Sequence, residues 1–357
     1  MITISLCMIV KNEEATISRC LNSVKNIVDE IIIVDTGSTD TTKSVALKYT
    51  NFIFDFPWID DFSAARNFAF SKAKMDYILW LDADDVIEKE DCKKFMELKQ
   101  TIDFAIDSLT MNYNLAFDEY GNVSFSSRRN RLVKRENGFK WIGAVHEYLE
   151  VYGNIINSDI SITHKSLSHD ANRNLKIYEN RLSKGESFSP RDLYYFANEL
   201  LDHKIYKRAI HFYEKFLNTK KGWLEDNISS CGKLADCYFH LGDKEKELNS
   251  ILRSFEYSAP RAEFCCRLGY HFLDIDDISS AITWYKLATQ LKEDKSSLGF
   301  FNPTFSTWLP HLQLCLCYDK IKNYKLAYLH NEVALQYRPN DCNILRNKEY
   351  LESIINI

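Results

Sequence analysis

Several common signatures are missing from this sequence. It has no C-x-x-C pair, no zinc-type Cys/His spacing, no P-loop and no Ser-His-Asp order. Its only glycine-turn candidate near the start, VDTGSTD, has a single glycine and is no dinucleotide fingerprint. No apolar run approaches the roughly 18 residues needed to span a bilayer. The start, MITISLCMIVKNEE, has no basic n-region, and its apolar stretch is too short for a signal peptide. A net charge of -5 over 357 residues gives no reason to expect nucleic acid as a partner. What is present, 45% hydrophobic and 13% aromatic residues, indicates a globular, soluble chain long enough for two domains with separate cores. Ten cysteines occur, and several (Cys231, Cys237, Cys315, Cys317) fall inside helix-like patterns with Leu and Ala. They read as small core residues of a reduced, cytoplasmic protein.

The two halves have different rhythms. In the first, TISLCMIV (3–10), EIIIVDTGS (30–38), NFIFDF (51–56) and YILWL (77–81) read as strands. Helical patterns lie between them: NEEATISRCLNSVKN, with Asn12 as its cap, then TDTTKSVALKY and DFSAARNFAFSKA. Apolar strands separated by such helices predict a mostly parallel α/β sheet covered on both faces. Ligands of such sheets sit beyond the carboxyl ends of the strands, where VKNEE, DTGSTD and DADD fall. Beyond residue 100, DFAIDSLTMNYNLAF and VSFSSRRNRLVKR, joined by a Gly121-Asn122 turn, read as an antiparallel pair.

From Pro190 the chain is helical and repeats its outline four times, at 193–217, 231–255, 265–291 and 312–341. Ala209, Ala281 and Ala327 suit close helix contacts within each hairpin. The spacing is irregular, with an aromatic-rich insertion around SSLGFFNPTFSTWLP. This outline resembles tetratricopeptide repeats, all-α units with a period of roughly 34 residues. Repeats of this kind often self-associate, so a homodimer is compatible with the sequence.

In YILWLDADDVIEKED, Asp82, Asp84 and Asp85 crowd three like charges into four positions, a cost that water, a helix start or a metal ion must offset. On an extended strand Asp82 and Asp84 would point to the same side. An isolated triplet of this kind would simply cap the helix VIEKEDCKKFMELK, and Asp85 is assigned to that role. The strand context and the motifs upstream favour a ligand role for Asp82 and Asp84.

MIVKNEEATISRCLNSV, DEIIIVDTGSTDTT and ILWLDADD, with DFSAARNFAFSKA between, together resemble the nucleotide-sugar-binding domain of family 2 glycosyltransferases, the GT-A fold. With helical repeats appended, the whole resembles sublancin-type peptide S-glycosyltransferases. The resemblance implies a catalytic domain over 1–170, a linker or first helix over 171–190 and a repeat domain over 191–357. It implies a hexosyl- or N-acetylhexosaminyltransferase that uses Mn²⁺ or Mg²⁺ and a UDP-sugar and inverts the anomeric centre. The acceptor would be a peptide or protein side chain held by the repeats. A lipopolysaccharide-core or lipid-linked acceptor is an alternative, and a non-catalytic repeat scaffold is another.

By the same resemblance, Ile9, Val10, Asn12, Glu13, Asp35, Arg66 and Asp82 would bind the nucleotide sugar, with Asp35 accepting the uracil imide hydrogen. Asp84 and His164 would bind the metal. Glu147 or His146, where the family carries an acidic pair, would be the base. Each residue also has a plainer reading. Asp35 could be a turn acid and Asn12 with Glu13 a helix start. Arg66 could pair with Asp61, and Glu147 with the arginines Arg128, Arg129 and Arg131 on a solvated strand face.

Overall fold

The computed structural model describes residues 1–119, 121–167, 172–291 and 302–355. Met1–Glu186 forms one compact unit and a second begins at Ser187. The domain boundary expected at 170/171 and residues 296–301 of the aromatic-rich insertion lie outside the described residues.

The first unit runs β1 (Ile4–Val10), α1 (Ile17–Val24), β2 (Glu30–Asp35), α2 (Thr42–Ala46), β3 (Ile53–Asp55), α3 (Phe62–Phe70), β4 (Tyr77–Trp80), β5 (Asp85–Val86) and α4 (Lys89–Thr101). It continues with β6 (Ser108–Phe117), β7 (Val123–Lys134), β8 (Lys140–Ile142), β9 (Tyr148–Glu150), β10 (Ile155–His164) and α5 (Arg173–Ser183). Eight strands form one sheet in the order β3-β2-β1-β4-β7-β6-β10-β5, and β8 and β9 form a separate pair. Strands β1 to β4 are mutually parallel, as is β6 with β10, whereas β7 runs antiparallel to both of its neighbours.

Strand alternation decides which face each side chain serves. In β1, Ile4, Leu6, Met8 and Val10 pack with Ile17, Leu21 and Val24 of α1. Cys7 faces the other way, among Ala69 and Ala73, and its thiol donates to the Ala69 carbonyl at 3.5 Å. Strand β4 divides likewise, Tyr77 and Leu79 to the first face, Ile78 and Trp80 to the second. The sheet is therefore covered on both faces, as the sequence predicts.

Two helices are shorter than expected. Helix α1 begins at Ile17, not at Asn12, because Asn12 sits in the left-handed region (φ 55°) and its side chain is engaged elsewhere. Its amide oxygen accepts from the Thr39 amide at 2.8 Å, which pins the β1 and β2 loops together. Helix α2 keeps only Thr42–Ala46, since Asp40 bonds the Thr42 amide at 3.0 Å and this Thr/Ser-rich segment competes with helix formation.

The second unit is a series of antiparallel hairpins: α6 (Pro190–Asp202) with α7 (Tyr206–Asn218), α8 (Leu224–His240) with α9 (Lys244–Arg253), α10 (Ala262–Asp274) with α11 (Ile278–Gln290), and α12 (Trp308–Lys320) with α13 (Tyr324–Tyr337). A last helix, α14 (Cys342–Ile355), follows. The first helix opens with Ser189 and Asp192 in a reciprocal cap and Pro190 in the first turn. Each hairpin turn contains one left-handed residue: Lys204, Gly242, Asp276 and Lys322. Five positions later, Ala209, Ala281 and Ala327 are fully buried where the paired helices meet, as the sequence predicts. In the second hairpin that position is Glu247.

All ten cysteines are unbridged, and eight are buried. No helix among the described residues is long and apolar enough to cross a membrane.

Candidate active site

The carboxyl ends of β1, β2 and β4 bring the predicted residues to one rim. Val10 pairs with Asp35 in the ladder, and its carbonyl accepts from the Thr36 amide at 2.9 Å. Ile9, half-buried, packs on the second face of the sheet. Asp35 is buried, and its Oδ1 accepts from the amides of Gly37 (2.9 Å) and Ser38 (2.8 Å). Gly37, at φ 103°, allows that turn. The other oxygen of Asp35, Oδ2, is buried without a hydrogen-bond partner. A turn acid uses its oxygens on the turn; one left over can accept a proton donor from a ligand. Glu13 receives a hydrogen bond from Thr16 and stands close enough to Asp84 and Asp82 to feel their charge. Burial, and then those two acids, push its pKa up against the Thr16 bond.

The DADD segment is a tight turn, not an extended strand. The Asp85 amide donates to the Asp82 carbonyl at 3.1 Å, so Asp82 and Asp84 diverge instead of sharing one strand face. Asp82 takes Arg66 at 2.8 Å. The same guanidinium bonds Glu147 at 2.5 Å, so Arg66 joins the β4 rim to the β9 turn. Arg66 is 8% exposed, with its Cζ 5.0 Å from the Trp80 ring centre and 4.7 Å from that of Trp141. Burial opposes its charge, but Asp82 and Glu147 outweigh that and raise its pKa. Burial also works against the Asp82 charge, and Arg66 and Arg131 overcome it, holding the carboxyl below its usual range.

Both plainer pairings fail here. Asp61 caps α3 through the Ala64 amide (3.0 Å) and leaves Arg66 to the rim, and Glu147 pairs with Arg66 rather than with the β7 arginines. His146 occupies the left-handed region (φ 52°) in the turn before β9.

Asp85 and Arg131 also overturn their expected roles. Helix α4 begins at Lys89 after Glu88, and Asp85 lies in β5, fully buried, so it caps nothing. Its Oδ2 meets Arg131 at 3.1 Å and the Asp82 amide at 3.1 Å, and its Oδ1 accepts from the Tyr113 hydroxyl at 2.9 Å. Arg131 is no part of a solvated face. It is inaccessible, with its Cζ 3.8 Å from the Trp80 ring centre and 4.3 Å from that of Tyr113.

His164 closes the group from the end of β10. Its Nδ1 lies 3.4 Å from Asp84 Oδ1, 3.4 Å from Asp85 Oδ1 and 3.0 Å from the Tyr113 hydroxyl. Those contacts, with Asp84 first, raise its pKa from 6.5 to about 10 despite partial burial. Asp84, Asp85 and His164 each offer one ligand atom, all within 4.8 Å of one another. Carboxylate oxygens with one imidazole suit Mn²⁺ or Mg²⁺. Because both Asp85 oxygens already have protein partners, Asp84 and His164 are the freer ligands, with Asp85 orienting them.

Residues 5–150, within the first unit, match the model of Glycosyl transferase family 2. A glycosyltransferase, SunS, from the SPbeta prophage of Bacillus subtilis is 31% identical over 260 residues, which cover 64% of this chain and 58% of SunS. A TPR repeat-containing protein of Synechococcus elongatus is 37% identical over 150 residues, 42% of this chain and 36% of that protein. The matches thus span less than two thirds of the length of either relative. Among solved structures, MamA aligns over 45% of this chain and 84% of its own, at 18% identity and a TM-score of 0.36.

Proposed function

We propose that the protein is a metal-dependent, inverting glycosyltransferase that moves a sugar from a UDP-sugar to a peptide or protein side chain, Cys or Ser/Thr. The observation that carries this reading is the convergence of Asp84, Asp85 and His164 at the sheet rim beside the Asp82–Arg66–Glu147 chain. Asp84 and His164 would hold Mn²⁺ or Mg²⁺, which supplies Lewis-acid neutralisation of charge on a departing diphosphate. Asp35, with its spare buried oxygen, would accept the uracil imide hydrogen. Ile9, Val10, Asn12 and Glu13 would line the base and ribose, and Asp82 would meet the ribose.

Inversion needs a base to take the acceptor's proton as it attacks. Glu147 fits that task better than His146, because Arg66 fixes one of its oxygens and the Trp80–Trp141 pair shields Arg66 from water. A thiol acceptor would ask less of this base than a hydroxyl, since thiols ionise more readily. The helical hairpins would hold the acceptor, because stacked helix pairs form concave surfaces suited to extended chains. Ten unbridged cysteines suit a reducing compartment such as the cytoplasm. Incubation with a panel of UDP-sugars and peptide acceptors tests the proposal: UDP release should need Mn²⁺ or Mg²⁺ and stop with EDTA. No metal-dependent release with any donor would overturn it.

A further inference from the structure

The helical unit contains a cavity of about 300 Å³ whose lining includes the one buried acid that breaks the alanine pattern of the hairpins. Glu247 occupies the position held by Ala209, Ala281 and Ala327 in the other three. It is 8% exposed, and its carboxylate makes no hydrogen bond or ion pair among the described residues. Its oxygens are not among the side-chain atoms sealed off without a partner, so they reach the cavity, where an ionised carboxylate attracts a counter-ion. Burial, and then the charge of Asp274, push its pKa up, while Arg267 and Lys244 nearby work the other way.

The surroundings say what would answer that charge. Arg267 also lines the cavity, but it is committed to Asp236 at 2.5 Å and Glu263 at 3.0 Å, so the local balance stays negative. Tyr285 presents its ring to the cavity, packed so closely on Gly269 that a Cβ there would come within 2.7 Å of it. Phe239 and Tyr270 stand at the wall, 49% and 47% exposed, edge to face at 6.2 Å. A carboxylate beside three aromatic rings is complementary to a cation on a flexible apolar stem.

We propose that this cavity binds a lysine or arginine side chain of a polypeptide, with Glu247 as its counter-ion and Phe239 and Tyr270 against its stem. The proposal rests on the peptide-acceptor reading above and gives that acceptor a recognisable feature, a basic residue bound in the helical unit.

Selection of phage-displayed random decapeptides on the full-length protein tests it. Bound sequences should share Lys or Arg at one position. Changing that residue to Met in the strongest binder should weaken binding about tenfold or more to the wild type, but only about twofold to Glu247→Gln. Glu247→Ala, which restores the hairpin pattern, should melt no lower than the wild type and show the same loss of discrimination. Failure to select any binder, selection without a basic preference, or an equal Lys-to-Met effect in the wild type and Glu247→Gln would each overturn the proposal. UDP-induced thermal stabilisation of the wild type reports on the donor site separately, so either reading can fail alone.

Discussion

At the sheet rim, Asp85 and Arg131 are both inaccessible, and each meets the other with neighbours on every side: Tyr113, Trp80 and the Asp82 amide. In the helical unit, Glu247 is buried too, but among the described residues its carboxylate makes no hydrogen bond or ion pair, and only the charges of Arg267 and Lys244 favour its ionised form. The first arrangement neutralises its own charge and fixes a turn in place, although Nε and Nη2 of Arg131 find no hydrogen-bond acceptor. The second, under the proposal above, takes its counter-ion from outside. Burial alone therefore does not mark a binding group; a buried charge that faces a cavity without a paired counter-ion is the better sign. The same distinction applies within the first unit. Both Asp85 oxygens are engaged, whereas Asp35 keeps one oxygen in reserve.

The largest effect expected from breaking the paired side is on stability. Arg131→Met leaves the buried Asp85 with His164 as its one remaining cationic neighbour among the described residues and should cost about 3–5 kcal/mol in urea unfolding. A near-neutral result would mean that the ion pair does not hold the rim. Under the proposed chemistry, Glu147→Gln should lower kcat by about 10²–10⁴-fold with little change in donor KM, because the amide can keep its bond to Arg66. The matching change at His146 should cost only a few-fold in steady-state assays, and the reverse ranking would move the base to His146.

The smallest effect concerns His330, whose Nδ1 lies 2.9 Å from that of His311 and whose ring stacks on Tyr318. Burial, with His311 and Lys286 facing it, lowers its pKa from 6.5 to about 4. The unfolded chain therefore takes up the proton first as pH falls. Stability that is complete above pH 6.5 should be lost progressively down to about pH 4. His330→Phe keeps the stacking and should flatten that loss by roughly 1–2 kcal/mol in denaturation measured across the window. An unchanged slope would show that the imidazole is already solvated.

Much of this was legible in the chain. Alternation in β1 and β4 assigns the two faces, and apolar strands ending in acids place Asp35, Asp82 and Asp84 at one rim. The alanine spacing locates three of the four helical hairpins. Arg131 was not legible, because nothing local says that β7 inserts between β4 and β6. That insertion, with Leu132 paired to both Leu79 and Leu109, turns an apparently exposed arginine into a core residue. The turn at DADD was missed for a related reason. Period-2 reasoning holds only while the strand continues, and β4 stops at Trp80. Glu247 did have a signal, an acid where three repeats have alanine, visible once the left-handed turn residues are aligned.

The central claim is that the acids at this rim couple a divalent cation to a uridine nucleotide. Thermal unfolding of the wild type and of Asp84→Ala, each with UDP in the presence and absence of Mn²⁺, tests it most directly. The account predicts that Mn²⁺ enlarges the UDP-induced rise in Tm for the wild type alone, with both proteins melting alike when no ligand is added. An equal manganese-dependent rise in Asp84→Ala would contradict it.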